Sequence, residues 1–290
     1  LEQMPSELQN DGSIQQHITP LTAEVMVFFN NSRPILKDAS VRRALVLGTD
    51  RRQLARLFDQ PVRLASSPLL EGQLGYNRKL VEPSYNFKAA DQLLTKDGWI
   101  KDSKGMRSKS GQSLAFSLSA QDNMEYSKVA RFLQNQWAKL GVKLQVQYFS
   151  QDDLQASVIS NHDYDAVLYG INIGPDPDVF AYWDSSQASI TSQGHLNLSE
   201  YKSKTADVAV EAGRTRSSPV IRAVKYKEFL KQWRKDLPAL VLYQPNYLYI
   251  TRGPVFNYDR SADNLGVDRF YNVQDWMIRQ KRQTITQYQP

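Results

Sequence analysis

The sequence predicts an α/β fold, and two observations carry that expectation. Residues 114–148 read as strand, helix and strand within about 35 residues, a crossover unit that favours parallel strands. Val25-Met26-Val27-Phe28-Phe29 is a short apolar run closed by Asn30-Asn31, the pattern of a buried strand. The 290 residues leave room for two ordinary domains or one large α/β unit. A hydrophobic fraction of 41% and an aromatic fraction of 11% suit a packed core rather than disorder.

The elements follow in order. Residues 1–23 are polar, contain Pro5, Gly12 and Pro20, and read as a loose lead-in. After the strand at 25–29, Ser40 can cap a helix over 41–48. Asp50 can cap the next helix, with Gln53 as the second half of a capping box. Leu54, Leu57 and Phe58 then form one apolar face. Prolines and turn residues over 60–86 predict a long surface loop. A short helix is expected over Tyr85 to Gly98, with Ala89, Ala90, Leu93 and Leu94 inward and Gly98 as its stop. Residues 101–113 read as a hairpin or loop. Leu114, Phe116 and Leu118 alternate with polar or small residues, as do Val142, Leu144, Val146 and Tyr148. Between them Val129, Phe132, Leu133, Trp137 and Leu140 keep the helical period, which Gly141 ends. Ala166-Val167-Leu168-Tyr169 is another strand. Residues 219–235 predict a helix with Ile221, Val224, Phe229, Leu230 and Trp233 as core, and Pro238 to Tyr249 is strand-rich, broken by Pro245.

Composition excludes several classes of function. No cysteine is present, so disulfides, zinc–cysteine sites and thiol nucleophiles are ruled out. The net charge of +6 is spread along the chain with no run of five like charges, which argues against nucleic acid as a partner. No apolar run approaches the ~18 residues of a membrane span. The opening Leu1-Glu2-Gln3-Met4-Pro5 does not read as a signal peptide, so a mature or trimmed product is expected.

Enzyme signatures are lacking. The three histidines, His17, His162 and His195, have no helical metal-ligand spacing, and no nucleophile elbow or Walker loop occurs. Asp163 with Asp165 and Asp176 with Asp178 are two-residue pairs that suit acid–base or metal chemistry, but aspartate is equally a turn and cap residue. The best candidate site is Gly174-Pro175-Asp176-Pro177-Asp178, because it follows a strand at the end where α/β proteins bind ligands. Asp176 as N-cap with Pro177 at N1 would open a helix from Val179 to Asp184. Either a plain capped turn or a ligand-facing helix start satisfies this pattern. Asn172 can reach a ligand or bond to its own loop. Tyr182 and Trp183 can line a cleft or fill the core.

The order of several short phrases adds more. Phe28-Phe29-Asn30-Asn31, Asp38-Ala39-Ser40-Val41-Arg42-Arg43-Ala44-Leu45, Thr49-Asp50-Arg51, Asp163-Tyr164-Asp165-Ala166 and Gly174 to Asp178 occur in one order and spacing. To these are added Lys88 to Leu94 running into Gly98-Trp99, Leu140-Gly141-Val142, Asn197 to Tyr201 with Asp207, and Leu237-Pro238 before Leu242-Tyr243. Together they resemble the C-terminal lobe of the ABC-transporter extracellular solute-binding proteins of family 5, the peptide, oligopeptide and nickel receptors. The resemblance runs from about Glu24 to Ile250.

It implies a type II periplasmic-binding lobe with a mixed sheet flanked by helices, no enzymatic activity, no metal and no cofactor. It also implies a division into a lead-in at 1–23, a ligand-binding lobe at 24–250 and a returning tail at 251–290 that would pack on a first lobe. The expected role is to capture a small solute, a peptide among the candidates, and to pass it to an ABC permease. The expected location is extracytoplasmic, periplasmic or as a membrane-anchored lipoprotein. The ligand-binding residues it points to are Tyr169, Asn172, Ile173, Gly174, Asp176 and Trp183. Peptide-binding members hold the ligand's α-amino group with an aspartate three positions before the Asp-Pro pair, and Ile173 stands there. Isoleucine cannot accept that hydrogen bond, so amine capture in the usual way is put in doubt. The few scattered histidines argue against nickel. Arg42, Asp50 and Arg51 read as caps and ion pairs. The alternative reading is a stand-alone basic module that binds a membrane surface or a protein partner.

Overall fold

The computed structural model describes residues 6–8, 10–192, 194–258 and 265–278. Its strands are β1 (Ile14–Pro20), β2 (Ala23–Phe29), β3 (Arg63–Leu64), β4 (Ile100–Lys101), β5 (Arg107–Lys109), β6 (Gln112–Ser113), β7 (Ala115–Gln121), β8 (Lys143–Phe149), β9 (Ala166–Asn172), β10 (Ala239–Gln244), β11 (Asn246–Arg252), β12 (Val255–Phe256) and β13 (Met277–Ile278). Its α-helices are α1 (Ala39–Leu47), α2 (Arg51–Ala55), α3 (Phe87–Lys96), α4 (Met124–Lys139), α5 (Gln151–Asp153), α6 (Phe180–Trp183), α7 (Lys204–Thr215) and α8 (Pro219–Asp236). A π-helical turn, Leu154–Ile159, continues α5.

The chain divides into two units. The larger, Thr22–Pro245, is built on a six-stranded sheet of order β3-β10-β2-β9-β7-β8. Parallel pairing joins β9 to β7 and β7 to β8, and the other neighbours are antiparallel, so the sheet is mixed. β2 lies inside it and is covered on both faces, which explains why its sequence is apolar without alternation. Consecutive side chains show the two faces. Phe28 stacks on Trp183 of α6, with centroids 5.7 Å apart, while Phe29 meets Trp137 of α4 at 6.3 Å.

The crossover unit forms as its pattern predicts: β7, α4 and β8, with the strands parallel. Asn123 caps α4 by accepting from the Tyr126 amide at 2.7 Å. Gly141 ends the unit's turn at φ +84°, where an added Cβ would lie 2.5 Å from the Gly105 carbonyl oxygen. Trp137 is fully buried, yet its indole N–H is satisfied by Thr49 Oγ1 at 2.9 Å.

Several expectations are corrected. Asp38, not Ser40, caps α1, because its carboxylate accepts from the Ser40 amide at 2.8 Å. Residues 100–113 form a three-stranded sheet, β4-β5-β6, rather than a single hairpin. The loop over 60–86 contributes β3 to the main sheet. α8 buries Tyr226, Phe229, Leu230 and Trp233, but Ile221 and Val224 point outward, being 47% and 48% exposed. The apolar period of α8 therefore holds only from Tyr226 onward.

The second unit comprises the described parts of Leu1–Leu21 and Asn246–Pro290. The stretch expected to be a loose lead-in contains β1, which pairs antiparallel with β11 from Ile14↔Arg252 to Pro20↔Asn246. The larger unit accordingly begins at Thr22 and ends at Pro245. Within this unit Trp276 packs against Tyr249 and Phe270, and donates to Asn272 Oδ1 at 2.8 Å. Residues 279–290 of the expected tail lie outside the described residues.

Candidate ligand-binding site

The candidate site grows from the C-terminal end of β9. Pairing with β2 sets Ala23 opposite Asn172, Glu24 opposite Ile171 and Met26 opposite Tyr169. Beyond the last pair, the amides of Ile173 and Gly174 both donate to the Thr22 carbonyl oxygen, at 2.9 and 3.0 Å. Gly174 then turns the chain at φ +77°, a left-handed conformation that suits glycine. Asn172 Oδ1 also accepts from the Gly174 amide at 3.0 Å, closing an Asx turn. The Gly174 carbonyl accepts from the Gln73 side chain at 2.8 Å.

Next to this turn lies a pocket of about 210 Å³. Tyr169, Gly170, Ile171 and Asn172 form its strand side, with Gln155 and Ile159 from the π-turn, Tyr182 from α6, and Leu196 and Leu198 from the following loop. No charged side chain lines it. The floor is aliphatic, and polar atoms stand at fixed points. Tyr169 donates to Gln155 Oε1 at 3.0 Å, and Tyr182 donates to the Asn172 carbonyl at 2.7 Å. Burial raises the Tyr182 phenol pKa, with a smaller push from Tyr169, so it stays a donor at neutral pH. Apolar walls with a few positioned polar groups suit a neutral group of a small solute.

The six expected site residues separate in space. Tyr169 and Asn172 line the pocket, and Ile173 and Gly174 continue from it into the turn. Asp176 is exposed and held by Arg222, with both carboxylate oxygens accepting from Nη2 at 2.7 and 2.9 Å. That hydrogen bond raises the Arg222 pKa further above its usual value. Asp176 does not cap a helix. The helix starts later, at Phe180, whose amide donates to Asp178 at 3.3 Å, while Asp178 also pairs with Arg214 at 2.8 Å. Trp183 is a correction: it is fully buried between Phe28 and Trp233, a core residue of the lobe.

The other candidates are structural. Asp163 pairs with Arg33 at 3.2 Å, and Asp165 accepts from the Ser117 amide and hydroxyl. His162 and His195 meet, with His162 Nε2 at 3.1 Å from the His195 carbonyl, while His17 sits in the other unit against Thr251. Among the described residues no group of three potential metal ligands occurs. Arg42 caps the end of α8, donating to the carbonyls of Asp236 and Leu237 and to those of Leu36 and Lys37. Its burial pushes its pKa down to about 10.

Sequence reasoning missed Gln155, Ile159, Leu196 and Leu198. The first two lie on an irregular π-turn and the others in a turn-rich loop, so neither period marked them. It also missed Glu24. This side chain is buried beside the C-terminal end of β9, its Oε2 has no hydrogen-bond partner among the described residues, and burial holds its pKa well above the usual value.

Residues 2–192 match the bacterial extracellular solute-binding proteins, family 5 Middle. The chain belongs to that family. Its members are transport receptors rather than enzymes. The chain is 26% identical over 267 residues to the oligopeptide-binding protein AppA of Bacillus subtilis, covering 88% of this chain and 46% of that protein. It is 29% identical over 182 residues to the oligopeptide-binding protein OppA of Mycobacterium tuberculosis, covering 61% and 30%. The chain thus spans less than half the length of either relative. Among solved structures it resembles NikZ from Campylobacter jejuni in complex with Ni(L-His), with a TM-score of 0.80 at 24% identity over 93% of this chain and 55% of that one. It also resembles AppA from Bacillus subtilis in complex with a nonapeptide, with a TM-score of 0.78 at 22% identity over 94% and 54%. These likenesses show the fold, an α/β lobe with a mixed sheet flanked by helices.

Proposed function

We propose that the chain is the ligand-binding lobe of an ABC-importer receptor that captures a small solute outside the cytoplasmic membrane and delivers it to a permease. The observation that carries this reading is the uncharged pocket at the C-terminal end of β9, lined by Tyr169, Asn172 and Tyr182 over an aliphatic floor. Family membership supports the binding role, and relatives named as oligopeptide-binding proteins support a peptide as the solute class. Ile173 is buried and aliphatic, so the ligand is not anchored there through an ammonium group. A peptide held by its backbone and side chains, or a neutral solute, fits better. Closure of a second lobe over the pocket would complete the site, as in hinge-closing receptors. The receptor would act in the periplasm or as a surface lipoprotein. The residues assigned to the ligand are Tyr169, Asn172 and Tyr182, with the Ile173–Gly174 turn beside them.

The test is a thermal-shift screen of the complete receptor against peptides, sugars and amino acids, repeated with Asn172→Ala. The expected result is a stabilising solute whose effect falls in the variant while the unliganded melting temperature stays close to wild type. An unchanged affinity in Asn172→Ala removes Asn172 from the site. A hit list without any peptide removes the peptide class.

A further inference from the structure

The outward face of α8 has no role in the ligand reading. One stripe of this helix, spaced by three or four residues, carries Val220, Val224, Lys227, Lys231 and Lys235. Val220 is 74% exposed and Val224 48%, and Ile221 flanks them at 47%. The helix thus presents an aliphatic first third and a basic remainder along about 22 Å. Lys227, Lys231 and Lys235 carry no ion pair among the described residues. Of the helix's two acids, Glu228 stands beside the stripe between Val224 and Lys231 but is neutralised by Lys225 at 2.8 Å, and Asp236 accepts from Tyr201 and Gln232.

We propose that this face docks on an anionic phospholipid surface. Exposed aliphatic side chains in line with unpaired lysines match a bilayer interface. The branched chains reach below the headgroups, and the lysines lay their stems along the surface with ammonium groups at the phosphates. A protein partner fits less well. Protein interfaces are poor in lysine and are anchored by tryptophan, tyrosine and arginine; no aromatic residue stands on the stripe, and the arginine that flanks its end, Arg234, is turned to the Val81 carbonyl. A nucleic-acid backbone would use the lysines but leave Val220, Ile221 and Val224 without a role. The inference is independent of the solute. It has one consequence for the lobe: Arg222, on the first turns of α8, holds Asp176, so a docked α8 brings the Gly174–Asp178 turn near the membrane.

The test is co-sedimentation of the chain with vesicles of phosphatidylcholine alone, or of phosphatidylcholine with one quarter phosphatidylglycerol. Binding is expected only with phosphatidylglycerol present, and to weaken as salt rises above about 0.1 M. Lys227→Gln with Lys231→Gln should weaken it about 30-fold, roughly fivefold for each lysine. Val220→Ser with Val224→Ser should weaken it on the order of tenfold, because part of two aliphatic side chains leaves the interface. Lys128→Gln with Arg131→Gln on α4 removes equal charge from another face and should change it less than about twofold. All these side chains are at the surface, so circular dichroism should show an unchanged fold. No binding to phosphatidylglycerol vesicles overturns the proposal. So does an equal loss in the α4 control, which would assign the attraction to net charge. A concentration-dependent dimer abolished by the valine pair would also overturn it, because the face would then be an interface between two copies of the chain.

Discussion

Arg51 and Glu82 form a buried ion pair that closes on one residue of the sheet, Val241. Arg51 Nε donates to the Val241 carbonyl at 2.5 Å, and Glu82 Oε1 accepts from the Val241 amide at 2.9 Å. Val241 sits where the register of β10 against β2 shifts. The pair therefore satisfies backbone groups at an irregular point of the sheet, and it ties α2 and the loop before Glu82 to β10. Thr49-Asp50-Arg51 is thus a structural phrase: Asp50 caps α2 and Arg51 clamps the sheet.

Breaking that pair on one side should be costly. Glu82→Ala leaves a buried guanidinium without its counter-charge and the Val241 amide without an acceptor. A loss of about 3–5 kcal/mol is expected. Urea unfolding of Glu82→Ala against Arg51→Met/Glu82→Leu checks it. The double variant should lose less than Glu82→Ala, since it leaves no unpaired charge buried. Equal losses would mean that packing, not the ion pair, holds this corner.

Glu24 makes the stability of the larger unit depend on pH. Its folded pKa is raised above the ordinary 4.5 by burial. The folded state therefore holds a proton that the unfolded chain gives up once the pH passes about 4.5. Stability is unaffected by this group at lower pH and falls as pH rises from there toward the folded pKa, by at most about 1.4 kcal/mol per pH unit. Glu24→Gln keeps the shape without the acid. Its melting temperature should match wild type near pH 4 and exceed it increasingly as the pH rises from there toward the folded pKa. A constant difference across that range would show that Glu24 does not titrate as a buried acid.

Trp183 and its neighbour Tyr182 should separate packing from binding. Trp183→Ala removes a core indole between Phe28 and Trp233 and should cost about 3–5 kcal/mol. Tyr182→Phe removes only the hydroxyl that donates to the Asn172 carbonyl, a loss of about 0.5–1.5 kcal/mol. Thermal denaturation orders the two. A Trp183→Ala protein with wild-type stability would put the indole back at the surface.

The sequence made the regular parts legible. β2 was readable because a strand buried on both faces must be apolar throughout. The β7–α4–β8 crossover was readable because two periods, two and then 3.6, stand side by side with a glycine between them. Strand β1 was not readable, since its partner β11 lies over 200 residues away and its own residues, Ile14-Gln15-Gln16-His17-Ile18-Thr19-Pro20, are mostly polar. On α8 the apolar residues Ile221 and Val224 were placed inward by period alone, but Tyr226 and Arg222 fill the inner position of that turn. At the candidate site, the turn after β9 with Asn172 beside it was legible from strand-end chemistry. The pocket's far wall did not, because Gln155 and Leu196 reach it only through tertiary folding.

The candidate turn is also held from behind, through a contact that a single methyl group can disturb. Gly213 on α7 lies so close to Tyr226 that an added Cβ would sit 2.7 Å from the ring. Tyr226 in turn lies under Arg222, whose Nε donates to the Gly213 carbonyl at 2.7 Å and whose Nη2 holds Asp176. Gly213→Ala should therefore push the ring outward, at a cost of about 1–3 kcal/mol from overpacking. It should also loosen the Asp176 clamp. Asp176→Ala removes the same clamp and leaves Arg222 on the Gly213 carbonyl, and the exposed ion pair itself contributes only about 0–1 kcal/mol. If the clamp orders the turn, both variants should speed amide hydrogen exchange over 174–178, and only Gly213→Ala should do so along α7. Faster exchange confined to α7 in Gly213→Ala, with the turn unchanged in both variants, would show that the turn is held by Thr22, Gln73 and Asn172 alone.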